Sequence, residues 1–148
     1  MSNYGHIRPM EILLVEDDLG DIELTRESLS EDKISINLNV VQDGICAMQY
    51  LLQEGSFSNA KKPDLIILDL NLPKKDGREV LHDIKKNDAL KLIPIVILTT
   101  SDADEDIFKT YGLGANCYVT KPIGLEEFNK IIKSIKDFWF TVVKLPSR

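Results

Sequence analysis

Carboxylates, a hydroxyl and an ammonium group follow the short apolar runs of this 148-residue chain. A carboxylate can attack phosphorus and hold the phosphoryl group as an aspartyl phosphate when a metal ion and a cationic side chain neutralise the incoming oxygens. A hydroxyl can donate a hydrogen bond to a phosphoryl oxygen. These residue types, each at the end of a run, therefore predict a phosphoryl-acceptor pocket. Its candidate members in chain order are Glu16, Asp17, Asp18, Asp69, Thr99 and Lys121.

Asp69 is the predicted nucleophile. The turn-rich segment that follows it, residues 70–77, ends the strand and holds the carboxylate at the surface. Carboxylates that are held together disfavour one another unless a cation offsets their charge. Mg²⁺ prefers oxygen ligands and usually takes one or two carboxylates, so Asp17 and Asp69 are the predicted metal ligands. Taken singly, each residue has a simpler interpretation, such as an acid at a helix N-terminus or a threonine favoured in a strand. Their combination in one chain favours a shared site.

A parallel sheet is the architecture that brings such strand ends together. Apolar runs that alternate with segments of helical periodicity are typical of repeated βα units, and right-handed crossovers place the helices on both faces. Ligands bind beyond the carboxyl ends of the strands in this class. The predicted fold is α/β, a doubly wound five-stranded parallel sheet with five helices, of flavodoxin-like type. Strands are predicted near 11–16, 36–41, 64–69, 94–99 and 116–119, and helices near 20–31, 44–54, 77–87, 103–112 and 124–139.

Length, charge and cysteine content limit the class of protein. The chain and its 43% hydrophobic residues suffice for one core, with an arm at 1–10, a domain at 11–139 and an extension at 140–148. A net charge of −6 argues against nucleic-acid binding, and no run approaches the roughly 18 apolar residues of a membrane span. Cys46 and Cys117 lack metal-type spacing. We therefore expect a cytoplasmic protein with reduced thiols.

The same positions resemble the signature of the receiver domain of two-component response regulators, over almost the whole chain. The matching residues are Glu16-Asp17, Asp69, Thr99 and Lys121-Pro122. The resemblance implies that Asp69 takes a phosphoryl group from a phosphohistidine of a sensor histidine kinase. It implies a phosphoacceptor switch and not an enzyme, with at most weak self-dephosphorylation.

The resemblance also implies a role for each matched position. Asp17, Asp69 and the backbone carbonyl of Asn71 would bind Mg²⁺, and Glu16 would act through a coordinated water. Lys121 would pair with the phosphoryl group. Two further residues would change conformation on phosphorylation. Thr99 would move toward the phosphoryl group, and Tyr118, the aromatic switch residue, would rotate inward.

Some positions depart from the commonest family pattern. Glu16 stands where aspartate is frequent, which lengthens one arm of the metal site without changing its charge. Thr100 stands where many receivers have alanine or glycine, so its bulk is expected to restrict access to the phosphoryl group. Asn71 and Ser101 occupy positions that tune dephosphorylation in this family.

Two segments, residues 68–81 and 138–146, resemble the small receiver-only regulators that partner bacterial phytochromes. That subfamily implies a light-responsive kinase as phosphodonor and homodimers through the last helices and C-terminal extension. Phe138, Trp139 and Phe140 are consecutive, so at least one ring should point outward; residues 141–143 look extended. We expect no DNA-binding or catalytic domain after residue 148, and therefore output through contact with an unknown downstream protein.

Three alternatives compete with a phytochrome-linked switch. A phosphorelay intermediate for another kinase would use the same residues. An aspartyl-phosphate phosphatase usually needs a second acid where Asn71 stands. A flavin-binding electron carrier of the same fold needs a phosphate-cradling loop after the first strand, where this chain has acids.

Overall fold

The computed structural model describes residues 9–30 and 35–142, and within them strands and helices alternate as the sequence predicts. The strands are β1 Met10–Val15, β2 Ile36–Val41, β3 Leu65–Leu68, β4 Ile95–Thr99 and β5 Cys117–Thr120. The helices are α1 Leu19–Ser30, α2 Gly44–Leu51, α3 Gly77–Lys86, α4 Asp104–Gly112 and α5 Leu125–Asp137. Residues 1–8 of the expected arm, residue 31 of the first predicted helix and residues 143–148 of the expected extension lie outside the described ranges.

The strands form one sheet in the order β2-β1-β3-β4-β5, and every neighbouring pair is parallel. This order confirms the doubly wound α/β fold with five strands and five helices. All strands point the same way, so their carboxyl ends lie at one edge of the sheet. Of the helices in the described ranges, none combines the length and apolar content needed to cross a membrane.

Each face of the sheet has its own buried core. On one face, α2 and α3 cover alternate residues of the strands, including Leu13 and Ile66. On the other face, α1 and α5 cover the intervening residues, including Ile12 and Ile67. Because strand side chains alternate between faces, continuous Val, Ile and Leu runs are what a sheet covered on both sides requires.

The end of α2 differs from the prediction. Helix α2 ends at Leu51 and not near residue 54, because Gln53 and Gly55 adopt positive φ values of 57° and 56° that a helix cannot continue through. A short 3-10 turn, Gly55–Phe57, follows.

The C-terminal segment is helical for as far as it is described. A π-helical turn, Phe138–Val142, continues α5, so the expectation of an extended stretch is wrong for residues 141 and 142, and Val143 lies outside the described part. Helical continuation keeps Trp139 one turn beyond Ile135 on the same buried face. Phe138 is 51% exposed, which confirms that one of the three consecutive aromatic rings points outward.

Candidate functional site

The carboxyl edge of the sheet brings the predicted site residues together. Glu16, Asp69 and Lys121 directly follow β1, β3 and β5, and Thr99 is the last residue of β4. Backbone hydrogen bonds continue the ladders past the strand ends: Asp69 N donates to the Val15 carbonyl at 3.0 Å, and Lys121 N donates to the Thr99 carbonyl at 2.7 Å. The side chains therefore leave the sheet in fixed register.

Lys121 is the centre of the site. Its ammonium Nζ donates to Glu16 Oε1 at 2.5 Å, to Asp21 Oδ2 at 2.8 Å and to Asp69 Oδ2 at 3.2 Å. These three contacts use all three donors of a lysine. The side chain is only 6% exposed, so Lys121 is not a solvated surface lysine.

Asp21 is a site residue that the sequence reasoning missed. It lies in the first turn of α1 and faces a lysine 100 positions away. The available signal was its spacing, since Asp21 follows Asp17 by four residues, which is about one helical turn. An acid in a first helical turn is common on electrostatic grounds alone, so this spacing did not distinguish it.

Burial and hydrogen bonding have opposite effects on the pKa values of Lys121 and Glu16. Burial lowers the pKa of Lys121, but hydrogen bonds to Asp21 and Glu16 outweigh this effect and hold the pKa above its ordinary value. Burial raises the pKa of Glu16 to about 7 against the lowering effect of its hydrogen bond with Lys121, and the Asp69 charge adds to the rise. Lys121 is therefore a firmly charged ammonium at neutral pH.

Three carboxylates could hold a metal ion. One oxygen from each of Glu16, Asp17 and Asp69 lies within 4.8 Å of the others. Glu16 and Asp69 are buried, whereas Asp17 is exposed. Such an all-oxygen cluster, open on one side, fits a hard divalent cation that keeps several waters.

The loop after Asp69 is held by close backbone packing. Gly77 N donates to the Leu70 carbonyl at 2.9 Å, and a Cβ at Gly77 would lie 2.3 Å from the Asp69 carbonyl oxygen. Asp76 caps α3, accepting from Arg78 N at 2.9 Å. Within the loop, Asn71 N donates to Asp69 Oδ1 at 3.2 Å. This packing fixes the orientation of the Asp69 carboxylate. The role of the Asn71 carbonyl in metal binding stays a prediction.

Thr99 carries a hydroxyl without a partner. The residue is fully buried, and its Oγ1 makes no hydrogen bond with any residue of the described part of the chain. The following residue, Thr100, is exposed. A buried unpaired hydroxyl is costly, and this one lies at the end of β4, at the same edge of the sheet as Asp69 and Lys121.

Tyr118 is tied to the loop that follows Thr99. Its hydroxyl donates to the Ser101 carbonyl at 2.8 Å. Ser101 Oγ in turn donates to Asp106 Oδ2 at 2.6 Å, and Arg78 Nε donates to Asp106 Oδ1 at 2.9 Å. These hydrogen bonds hold the pKa of Asp106 below its usual range. A polar network, absent from the sequence-based prediction, thus joins α3, α4 and β5 around this loop.

Comparison with known proteins identifies the family. Residues 12–133 match the response regulator receiver domain. The chain belongs to this family. It is 48% identical over 139 residues to response regulator Rcp1 of Synechocystis sp., a match that covers 94% of this chain and 95% of Rcp1. The resemblance inferred from the site residues is thereby confirmed.

Solved receiver structures of the same family are similar throughout. The phosphorylated cyanobacterial phytochrome response regulator RcpA matches with a TM-score of 0.92 and 49% identity, covering 95% of this chain and all of RcpA. The Mn²⁺-bound form of Rcp1 matches with a TM-score of 0.91 and 47% identity, covering 94% of this chain and all of that one. The likeness to phytochrome response regulators is therefore confirmed.

Proposed function

We propose that this receiver is a phosphorylation-controlled switch that accepts a phosphoryl group on Asp69 from a sensor histidine kinase. The observation that carries the proposal is the contact of 3.2 Å between Lys121 Nζ and Asp69 Oδ2 inside a buried group of carboxylates. This contact places a permanently charged ammonium group beside a nucleophilic oxygen at the carboxyl edge of the sheet. This is the arrangement that phosphoryl transfer to a carboxylate requires.

The transfer step follows from these groups. An oxygen of Asp69 bonds to phosphorus while the bond between phosphorus and the donor histidine nitrogen breaks, and its electron pair stays on the imidazole. Lys121 Nζ is already 3.2 Å from Asp69 Oδ2 and therefore close to the reacting carboxylate. Its charge offsets the negative charge that arrives with the phosphoryl group.

We propose Mg²⁺ as the cation of the site. Asp17, Asp69 and the Asn71 carbonyl would hold it, and Glu16 would reach it through a water. The ion would supply positive charge to the phosphoryl oxygens during transfer. The carboxylate spacing supports a divalent ion, and the Mn²⁺-bound form of Rcp1 belongs to a relative of 47% identity.

Phosphorylation is proposed to act by shifting an existing equilibrium. The Thr99 hydroxyl, which has no partner in the described structure, would donate to a phosphoryl oxygen. The loop after Thr99 would move with it, and Tyr118 would give up its bond to Ser101 and turn inward. The surface near Tyr118 and α5 would then differ between the two states and change affinity for a downstream protein.

A phytochrome-type kinase is the proposed donor. The support is the similarity to Rcp1 and to the phytochrome response regulator RcpA. Leu19, Ile123 and Leu125 are exposed apolar residues on segments that leave the site edge of the sheet, which suits a donor that is itself a protein. A relay intermediate for another kinase would use the same chemistry, so phosphoryl uptake at equal rates from unrelated kinases would contradict the phytochrome assignment.

The proposal is tested by the mass of the protein after incubation with acetyl phosphate and Mg²⁺. Native mass spectrometry should find one phosphoryl adduct on the wild type and none on Asp69→Asn. Asp88→Asn is the matched control, because the Asp88 side chain is 94% exposed in a surface turn; it should take up the phosphoryl group like the wild type. Absence of an adduct on the folded wild type, or its persistence in Asp69→Asn, would overturn the proposal.

A further inference from the structure

Lys121 has three acidic partners, and they are not equivalent. Glu16 and Asp69 both belong to the carboxylate cluster that suits a metal ion, whereas Asp21 lies outside that cluster. A cation bound to the cluster would compete with Lys121 for Glu16 and Asp69. Asp21 is the partner that such a cation would not engage, so its interaction with Lys121 would be retained.

We infer that Asp21 is a positioning residue that anchors the Lys121 ammonium beside Asp69 during phosphoryl transfer. The inference rests on the proposed function. With one N–H held by Asp21 at 2.8 Å, Lys121 can exchange its longest contact, 3.2 Å to Asp69 Oδ2, for a phosphoryl oxygen without losing its place. Lys121 would otherwise have to be held by groups that the metal ion also engages.

The anchor stands on a rigid element. Asp21 N donates to Asp18 Oδ1 at 3.0 Å, and the Asp21 carbonyl accepts from Thr25 Oγ1 at 2.8 Å. Its neighbour Ile22 is buried in the core between the sheet and α5. The carboxylate is therefore fixed relative to the strand ends, as a positioning group must be.

Anchoring and simple electrostatics predict opposite signs. Removing any one negative charge near the site reduces repulsion of the incoming phosphoryl donor and should leave its transfer unchanged or faster. Loss of an anchor for Lys121 should make transfer slower. The direction of the change therefore separates a positioning role for Asp21 from a bulk charge effect.

The decisive comparison is Asp21→Asn against Glu23→Gln. Both variants remove one charge from α1 and keep a side-chain oxygen, but the Glu23 side chain is 68% exposed, lies 3.7 Å from Arg26 Nε and makes no contact with Lys121. Phosphoryl uptake from acetyl phosphate at saturating Mg²⁺ should be about tenfold slower in Asp21→Asn, because an ion pair becomes a weaker hydrogen bond to a neutral amide. Glu23→Gln should match or exceed the wild-type rate. Equal rates in the two variants would overturn the inference.

Two further measurements exclude a structural origin. In a Lys121→Met background, Asp21→Asn should add no further loss, because residues acting through one contact are not additive; an additive loss would contradict the anchor. Without metal or phosphodonor, the Lys121 ammonium ¹⁵N resonance should shift in Asp21→Asn and return in Asp21→Glu. A resonance unchanged by Asp21→Asn would also contradict it. Failure of the wild type to take up phosphoryl would overturn the proposed function, while this resonance would still test the ion pair.

Discussion

Thr99 is the residue at which stability and switching are most clearly opposed. Its side chain is fully buried, and its hydroxyl has no hydrogen-bond partner among the described residues. An unsatisfied buried polar group costs free energy in the resting state. The cost disappears once the hydroxyl finds an acceptor, so a phosphoryl oxygen at Asp69 would stabilise the state in which Thr99 has moved.

We expect Thr99→Val to stabilise the resting protein and to weaken its response. Valine fills the same space without a hydroxyl, so the free energy of unfolding should rise by about 1 kcal/mol. Beryllium fluoride with Mg²⁺ mimics a bound phosphoryl group, and it should stabilise the wild type more than Thr99→Val. Urea unfolding with and without beryllium fluoride measures both effects.

The control for this prediction is Thr110→Val. Thr110 is equally buried, but its Oγ1 donates to the Asp106 carbonyl at 2.9 Å. Its replacement should therefore lower the free energy of unfolding and leave the response to beryllium fluoride intact. Equal destabilisation by the two substitutions would contradict the view that the Thr99 hydroxyl is unsatisfied at rest.

At the scale of elements, the segment between β3 and α3 determines where Asp69 points. Gly77 begins α3, and the helix end lies so close to the strand end that a Cβ would meet the backbone of Asp69 and Leu70. Gly44, at the start of α2, approaches the Lys75 carbonyl in the same way. The N-termini of α2 and α3 thus pack closely against the loop that follows Asp69.

Gly77→Ala is expected to damage both stability and phosphoryl uptake. The added Cβ meets backbone, which cannot rotate away, so the free energy of unfolding should fall by about 3 kcal/mol. Asp69 should accept the phosphoryl group more slowly because its loop must shift. Thermal unfolding and the rate of adduct formation measure the two effects.

Gly112→Ala is the matched control, because, apart from its chain neighbours and its own helix backbone, no atom of the described residues lies within 4 Å of a Cβ at this helical position. Alanine is favoured over glycine in helices by about 1 kcal/mol, so this variant should be unchanged or more stable. A neutral Gly77→Ala would mean that the close approach of α3 to β3 is easily relieved.

For the whole molecule, α5 and the turn that continues it form a candidate contact surface. Trp139 is buried against the sheet, while Phe138 stacks edge-on against it at 5.5 Å between ring centroids and is 51% exposed. A large ring facing solvent favours protein contact. We propose that the homodimer implied by the phytochrome-type resemblance uses this surface.

Phe138→Asp is therefore expected to lower the dimer fraction at least tenfold, since a charge replaces an apolar contact. Sedimentation of resting and phosphorylated protein over a concentration series measures this change. Leu92→Asp is the control, because Leu92 is 69% exposed in the segment before β4, and its neighbours Leu90 and Ile93 belong to the core on the other face of the sheet from α5. A wild type that is monomeric in both states, or an equal effect of both variants, would contradict the proposed surface.

The sequence by itself determined the sheet, its helices and the principal members of the site. Continuous apolar runs identify strands buried on both faces, and helical periodicity identifies the segments that cover them. The position of Asp69, Thr99 and Lys121 at strand ends was enough to bring them to one edge, because parallel strands end on the same side. Prediction was weakest at helix ends, where single residues such as Gln53 decide the backbone conformation.

Only the tertiary structure decided which carboxylates pair with Lys121 and which hydrogen bonds surround Tyr118. The Asp21 contact joins residues 100 positions apart, and Arg78 reaches Asp106 across 28 positions. Neither pair has a periodic or local signature. The first pair depends on how α1 lies beside the end of β5, and the second depends on the distance between α3 and α4, both of which the packed core sets. Sequence patterns report the environment of each segment, whereas a specific ion pair depends on how separate segments are placed in space.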